Sequence, residues 1–402
     1  MKVALVSSFC LDSTMPLAVH LAKQKVDVHL FAIFPKGNQN AFVADFSKQP
    51  QPNGFIDKVV AKKVMGEPLF SYLSEIKTSF FVFPGGGKKN FFLKDIYYSW
   101  KLSNYLISGK FDIIHLIHTS GRFTLLLYHF LRKQKIVQTL HEVTNHSVNT
   151  SSSNIKIFEL LIKKSTPVIF NSYTSKKRFL SFRNSINGSK LDDNLYTMIR
   201  FSLYETYNYF PSNPVIKKSI DKSIPVIFHF GRIVPYKGID ILIDAIKIVQ
   251  QNQKVHLIIA GAGEPYFNFD GIDSYEFFNY SISNEEIIEF IKSCTVVVCA
   301  YRSASQSGIP MTAFLFNKPI IASSVGGFSE IIDDNITGML VSTYDSVSFA
   351  NAIQKLISNS EMQKSMEANI GKKFNQGEFS WQNIAAETIA FYREYLKPAS
   401  AV

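Results

Sequence analysis

Val226-Ile227-Phe228-His229-Phe230-Gly231-Arg232-Ile233-Val234-Pro235-Tyr236-Lys237-Gly238 decides how the chain is read. Five apolar or aromatic residues in succession predict a strand buried on both faces, as in a parallel sheet. A helix over 238–250 follows the loop, because Ile241, Leu242, Ala245, Ile246 and Val249 recur at helical spacing. The loop has glycine at each end, with an arginine and a lysine between. Glycine lets the backbone approach a ligand closely, and two cations suit a diphosphate whose charge grows as it leaves. A basic turn before an ordinary helix is the plain alternative.

The same strand-loop-helix unit recurs outward from that stretch. Apolar strands are expected at Val255–Ala260, Cys294–Cys299 and Pro319–Ala322, with a helix over 346–358. Earlier in the chain the expected strands are Lys2–Val6, Asp27–Ile33, Asp112–Leu116, Lys135–Leu140 and Pro167–Phe170, separated by helices over 16–24, 91–108 and 121–133. Strand and helix in alternation predict doubly wound α/β sheets. The alternation breaks at a polar, proline-containing stretch and then restarts, predicting two domains, 1–205 and 225–375, with a linker over 206–224 and a final helical segment, 376–402, packing back toward the first. Open α/β sheets bind ligands beyond the carboxyl ends of their strands, so a cleft between the domains is the expected site.

Bulk properties agree. The chain has 402 residues, 46% hydrophobic and 19% charged, enough for two domains with real cores. Its first apolar burst is too short for a signal-peptide core, and no run approaches the roughly 18 apolar residues of a membrane span. The 3 cysteines, Cys10, Cys294 and Cys299, form no disulfide framework, which favours a reducing compartment and a cytoplasmic location. The net charge of +11 is uneven: residues 1–205 hold 27 Lys and Arg against 13 Asp and Glu. Solvated helix faces explain such an excess. So does peripheral contact with an anionic membrane on its inner face, or with a lipid diphosphate. Nucleic acid is not an expected partner, because no binding motif or basic stripe interleaved with aromatics is present.

Two further loops follow predicted strands. Gly261-Ala262-Gly263 suits a base or phosphate but also reads as a tight turn. Tyr301-Arg302-Ser303-Ala304-Ser305-Gln306-Ser307-Gly308-Ile309-Pro310 precedes a short helix expected over 311–316. Its backbone N–H groups suit an anion, and Ser305 or Ser307 could equally be a simple cap.

Taken in order, Gly231-Arg232 with Lys237-Gly238, then Gly261-Ala262-Gly263, then Asn317-Lys318-Pro319 with Val325-Gly326-Gly327, Glu330 and Gly338-Met339-Leu340-Val341, resemble glycosyltransferase family 4. The likeness is strong over 225–390 and looser over 1–205. It implies the GT-B architecture, two Rossmann-like domains facing each other across a cleft, and transfer of a sugar from a nucleotide-sugar with retention at the anomeric carbon. The acceptor would be a glycan or a lipid-linked molecule, and surface polysaccharide or glycolipid synthesis the setting. The nucleotide-sugar is a co-substrate, and no cofactor or metal is expected.

The resemblance also implies roles. Arg232 and Lys237 would meet the diphosphate; Gly231, Gly261, Gly263, Ser305, Gln306, Ser307, Gly308 and Thr312 would line the donor site. Ala304 and Thr312 stand where the family carries a pair of glutamates, and Ala304–Gly308 matches a branch with Ala-Ser-Gln-Ser-Gly in this loop. Loss of those acids is also what a non-catalytic sugar- or nucleotide-binding relative would show. His118, just past a strand, matches a histidine near the reacting sugar, while His115 reads as a buried, satisfied side chain. His141, Glu142 and His146 follow the next strand and match acceptor-side positions in that branch; a metal there would need more ligands.

Overall fold

In the computed structural model the stretch that opened the reading is the centre of a sheet. Residues 1–8, 10–35, 43, 46, 50–84, 92–117, 121–141, 152–187, 193–211, 223–304 and 307–397 are described. The chain divides into two compact units, Met1–Tyr209 with Trp381–Val402, and Phe210–Ser380.

The first unit holds β1 (Lys2–Ser7), β2 (Asp27–Pro35), β3 (Gly54–Ile56), β4 (Lys77–Phe83), β5 (Ile113–Ile117), β6 (Ile136–Leu140), β7 (Val168–Phe170) and β8 (Tyr196–Met198). They form one sheet in the order β3-β4-β2-β1-β5-β6-β7-β8. Every pairing is parallel except β3 with β4. Val6 sits opposite Phe31 on one side and Leu116 on the other, and all are buried in a core that also takes Phe170 and Phe179. The second unit holds β9 (Val226–Phe230), β10 (His256–Ala260), β11 (Tyr275–Phe278), β12 (Val296–Cys299), β13 (Ile320–Ser323) and β14 (Gly338–Val341). Their order is β11-β10-β9-β12-β13-β14, all parallel.

The expected strands are present with ends shifted by a residue or two. Strands β3, β4, β8, β11 and β14 add to them. β3 and β8 have three residues each, too few for a periodic signal. β11 runs along an edge with no fully buried residue, so its apolar pattern is weak. The first helix also departs from expectation. It spans Leu11–Lys23, with Pro16 inside it, rather than opening at Pro16. Proline at that depth removes one backbone hydrogen bond, and burial of Leu11, Met15, Ala18 and Val19 outweighs the loss.

Helix Trp381–Leu396 belongs to the first unit. Trp381, 4% exposed, donates its indole N–H to the Leu203 carbonyl at 2.8 Å, and its ring stacks near His20. Tyr392 is fully buried, with its hydroxyl 2.6 Å from Nδ1 of His115. Taking that oxygen away leaves a buried ring nitrogen without its partner, which costs about 1–3 kcal/mol. The Tyr392→Phe variant is therefore expected to unfold in urea with that loss of stability. An unchanged midpoint and slope would show that the Tyr392–His115 hydrogen bond does not contribute to stability.

Candidate functional site

The second sheet changes direction between β9 and β12. The chain leaves β9 toward β10 on one side, and from β12 it runs toward β13 on the other. Loops beyond such a switch point part and leave room for a ligand. The loop after β9 carries Gly231 to Gly238, and the loop after β12 carries Ala300 to Gly308.

The glycines set how closely these loops approach. Gly231 N–H donates to the Ala260 carbonyl at 2.9 Å, and Ile233 N–H to the Ala262 carbonyl at 2.9 Å. A methyl group on Gly261 would lie 2.0 Å from the Gly231 carbonyl oxygen, so the two loops lie backbone against backbone. A methyl group on Gly231, whose φ is 111°, would lie 2.6 Å from Nζ of Lys237. That glycine is the floor on which the lysine rests.

Lys237 closes a short turn, Pro235–Lys237, and is 8% exposed. Its Nζ donates to the Tyr301 hydroxyl at 2.6 Å. Tyr301 is 2% exposed and has the Phe328 ring against its edge, 5.2 Å between centroids. Beneath them lies His229, fully buried, with Nδ1 donating to the Val298 carbonyl at 2.9 Å. Burial, reinforced by the nearby lysine charge, pushes this histidine down to about 3, so it is neutral. Burial also pulls the Lys237 ammonium down to about 8; the Cys299 thiol opposes the shift and the exposed Arg232 adds to it. A buried cation of lowered pKa near a second, exposed cation leaves positive charge that an anion would satisfy.

Tyr301 and Arg302 open the serine-rich loop singled out in the sequence, which assigned neither an individual role. Arg302 pairs with Asp240 and donates to the Pro235 carbonyl, while its own N–H bonds the Tyr236 carbonyl at 2.8 Å. It ties the lysine turn to the loop after β12. Neither role has a local signature, because each depends on which strand lies beside β9. Of the expected donor-loop residues, Gly308 caps helix Ile309–Leu315. That helix starts two residues before the expected Met311 because Pro310 fits its first turn. Ser307 accepts from Ile309 N–H at 3.4 Å. Thr312 is 3% exposed and donates to the Gly308 carbonyl at 3.2 Å, so its hydroxyl serves its own helix. Ser305 and Gln306 lie outside the described residues.

In the first unit, His118, Glu142 and His146 also lie outside the described residues. His141, at the end of β6, is half-buried, with Nδ1 2.7 Å from Oδ1 of Asn171. Burial pulls it down to about 4 against the opposing Asn171 bond. It is neutral at pH 7 and borders a cavity of about 30 Å³ with Ser13, Thr14, Arg200 and Trp381, room for a water molecule or two. His115 is satisfied on both ring nitrogens, by Tyr392 and by Thr139 at 2.7 Å. Burial pushes it down to about 3, as its reading as a structural residue requires. Asp12, in the first turn of helix Leu11–Lys23, is the acid that sequence reasoning passed over. Burial raises it to about 7 against a hydrogen bond from Ser13 N–H. Among the described residues no group of three or more His, Cys, Asp or Glu is placed to hold a metal.

The lysine shift sets a pH dependence. Below about pH 8 the ammonium is charged and available to an anion; above it the charge is lost. Affinity for inorganic pyrophosphate is expected to fall as pH rises through 8 to 9.5, approaching about tenfold per pH unit. Lys237→Arg, which stays charged, should flatten that limb. Titration calorimetry showing the same alkaline limb in both proteins would assign it to another group.

Residues 224–359 match the family model described as glycosyl transferases group 1. An uncharacterized glycosyltransferase of Methanocaldococcus jannaschii is 31% identical over 177 residues, 41% of this chain; the match spans about half (46%) of that relative. The whole fold is similar to sucrose-phosphate synthase of Thermosynechococcus elongatus, with TM-score 0.67, 17% identity and 98% of each chain covered. It is also similar to HepE of Anabaena in complex with UDP-glucose, with TM-score 0.64, 17% identity and 97% of this chain and 99% of that one covered. Both units thus have the α/β architecture of the GT-B fold, and the stretch similar to the glycosyl transferases group 1 model, residues 224–359, contains the Lys237–Tyr301 pair at its switch point.

Proposed function

We propose that the protein is a nucleotide-sugar-dependent glycosyltransferase that passes a hexosyl group, with retention at the anomeric carbon, to a glycan or lipid-linked acceptor in surface polysaccharide or glycolipid synthesis. The observation that carries this reading is Lys237, a lysine buried against Tyr301 and Gly231 at the β9/β12 switch point of a group 1 domain. The GT-B relative that binds UDP-glucose supports a nucleotide-sugar as donor. The donor is a co-substrate, and the reading requires no metal or other cofactor. Gly231, Gly261 and Gly263 line the donor side of this scheme by letting the two loops and Lys237 pack closely beneath it. Lys237 and Arg232 take up charge on the departing diphosphate, joined by N–H groups near Ser307 and Gly308.

Retention by double displacement needs a carboxylate nucleophile beside the anomeric carbon. The donor-loop acids of family 4 are replaced here by Ala304 and Thr312. A front-face reaction fits better. The leaving phosphate oxygen accepts the acceptor's proton as the new glycosidic bond forms on the face that the diphosphate leaves. In this scheme His118 contacts the reacting sugar, and His141, Glu142 and His146 orient the acceptor hydroxyls. The unit that carries them is basic, and peripheral contact with an anionic membrane on the cytoplasmic side would bring a lipid-linked acceptor to it. No helix among the described residues is long and apolar enough to cross a membrane.

A panel of nucleotide-sugars, read by nucleotide release and by protection against thermal unfolding, tests the reading. One donor should both stabilise the protein and be turned over. Stabilisation without nucleotide release under any acceptor condition would instead favour a binding protein. Arg232→Ala and Lys237→Ala should each lose about 2.7–4 kcal/mol of transition-state stabilisation, or roughly a hundred- to a thousand-fold in kcat. Glu142→Gln should be milder, and His118→Ala should lower kcat more than donor affinity. Full turnover by Lys237→Ala, or a sugar trapped covalently on Glu142, would overturn the mechanism.

A further inference from the structure

Helix Phe92–Ser108 lies between β4 and β5 in the first unit. Its polarity is inverted relative to an ordinary surface helix. The side turned into the protein carries Asp95, Ser99 and Ser103, each no more than 2% exposed, beside Leu102 and Leu106. The side turned out carries Leu93 at 77%, Tyr97 at 51%, Trp100 at 46% and Ile107 at 40% exposure. With about 100° of turn per residue, these four and Asn104 fall within an arc of about 80°. Lys94 and Lys101, both exposed, stand together along one flank of that arc, and Arg122, 53% exposed, reaches the same helix through Asp95 at 3.6 Å.

We propose that this outer face is a docking surface for an anionic phospholipid membrane, with Leu93, Tyr97, Trp100 and Ile107 entering the headgroup and upper acyl region and Lys94 and Lys101 meeting the lipid phosphates. Three features favour lipid over a second protein. Tryptophan and tyrosine are the side chains that settle at a membrane interface. Lysines flanking an apolar arc keep their ammonium groups at the headgroups while their stems lie on the apolar side. The unit that presents the helix carries 27 Lys and Arg against 13 Asp and Glu over residues 1–205, which complements an anionic leaflet. At 17 residues the helix is about 25 Å long, which suits lying in the interface rather than spanning the bilayer.

The proposal rests on the membrane contact suggested above but not on the transfer chemistry, and the two fail separately. The protein has 2 tryptophans. Trp381 is buried, at 4% exposure, so changes of emission on binding report on Trp100. Mixed with vesicles of phosphatidylcholine and phosphatidylglycerol in equal parts, the protein should co-sediment. Its emission should move to shorter wavelength and be quenched by brominated acyl chains, and Trp100→Phe should remove both signals. Leu93→Glu is exposed and need not disturb the fold. It should weaken vesicle binding by about tenfold or more while far-ultraviolet circular dichroism and pyrophosphate affinity stay at parent values. No vesicle binding by the parent protein would sink the membrane contact and this surface together. Vesicle binding without an emission change, or with unchanged affinity in Leu93→Glu, would place the contact on another surface. A concentration-dependent dimer that Leu93→Glu dissolves would show that a second copy of the chain covers this face, which also overturns the proposal.

Discussion

Burial of the Lys237 ammonium is the constraint on which the second unit's site depends. Taking a charge out of water is costly unless partners replace the water. Among the described residues this lysine has a tyrosine hydroxyl and no carboxylate within ion-pair distance. Three neighbours hold the arrangement. Gly231 supplies the floor, Tyr301 the hydrogen bond, and the Arg302–Asp240 pair holds the turn against the neighbouring loop. A carboxylate partner would make the lysine more comfortable and also neutralise the charge that an anionic ligand needs.

One buried polar group of the first unit, His115, is accommodated in the opposite way. His115 is deep in the core with both ring nitrogens bonded, which fixes it as a neutral structural residue and ties the final helix to the sheet. His141 is anchored through Nδ1 to Asn171 and borders a cavity. Asp12 shows burial acting on a carboxyl group: a first-turn acid that would be unremarkable on a surface helix is raised to about 7 by enclosure.

Much of the architecture was legible in the chain because its cause is local. Buried parallel strands need continuous apolar runs, and β1, β2, β5, β6, β9 and β10 have them. Helices against such sheets need apolar residues at helical spacing, as over 238–250. The glycine loops were legible because close backbone approach tolerates no side chain. Of the strands that escaped, β3 and β8 are short and β11 and β14 lie at an edge, whereas β4 has seven residues and sits inside the first sheet, so length and position do not account for it. At β11 the pattern that marks a strand is diluted by the exposure that the position allows.

The sequence by itself determined that this is an α/β chain, where its sheets restart, and that glycines and cations crowd one loop. These are consequences of periodicity and of residue chemistry, which neighbours along the chain are enough to define. Only the tertiary structure decided that Tyr301 is the partner of Lys237, that Thr312 bonds its own helix, that His115 is satisfied, and that the aromatic side of helix Phe92–Ser108 faces outward. Each of those depends on which strand lies beside which, and on how much water the fold leaves at a given atom. Strand order is set by long-range packing of whole faces, so it has no signature within reach of any one residue.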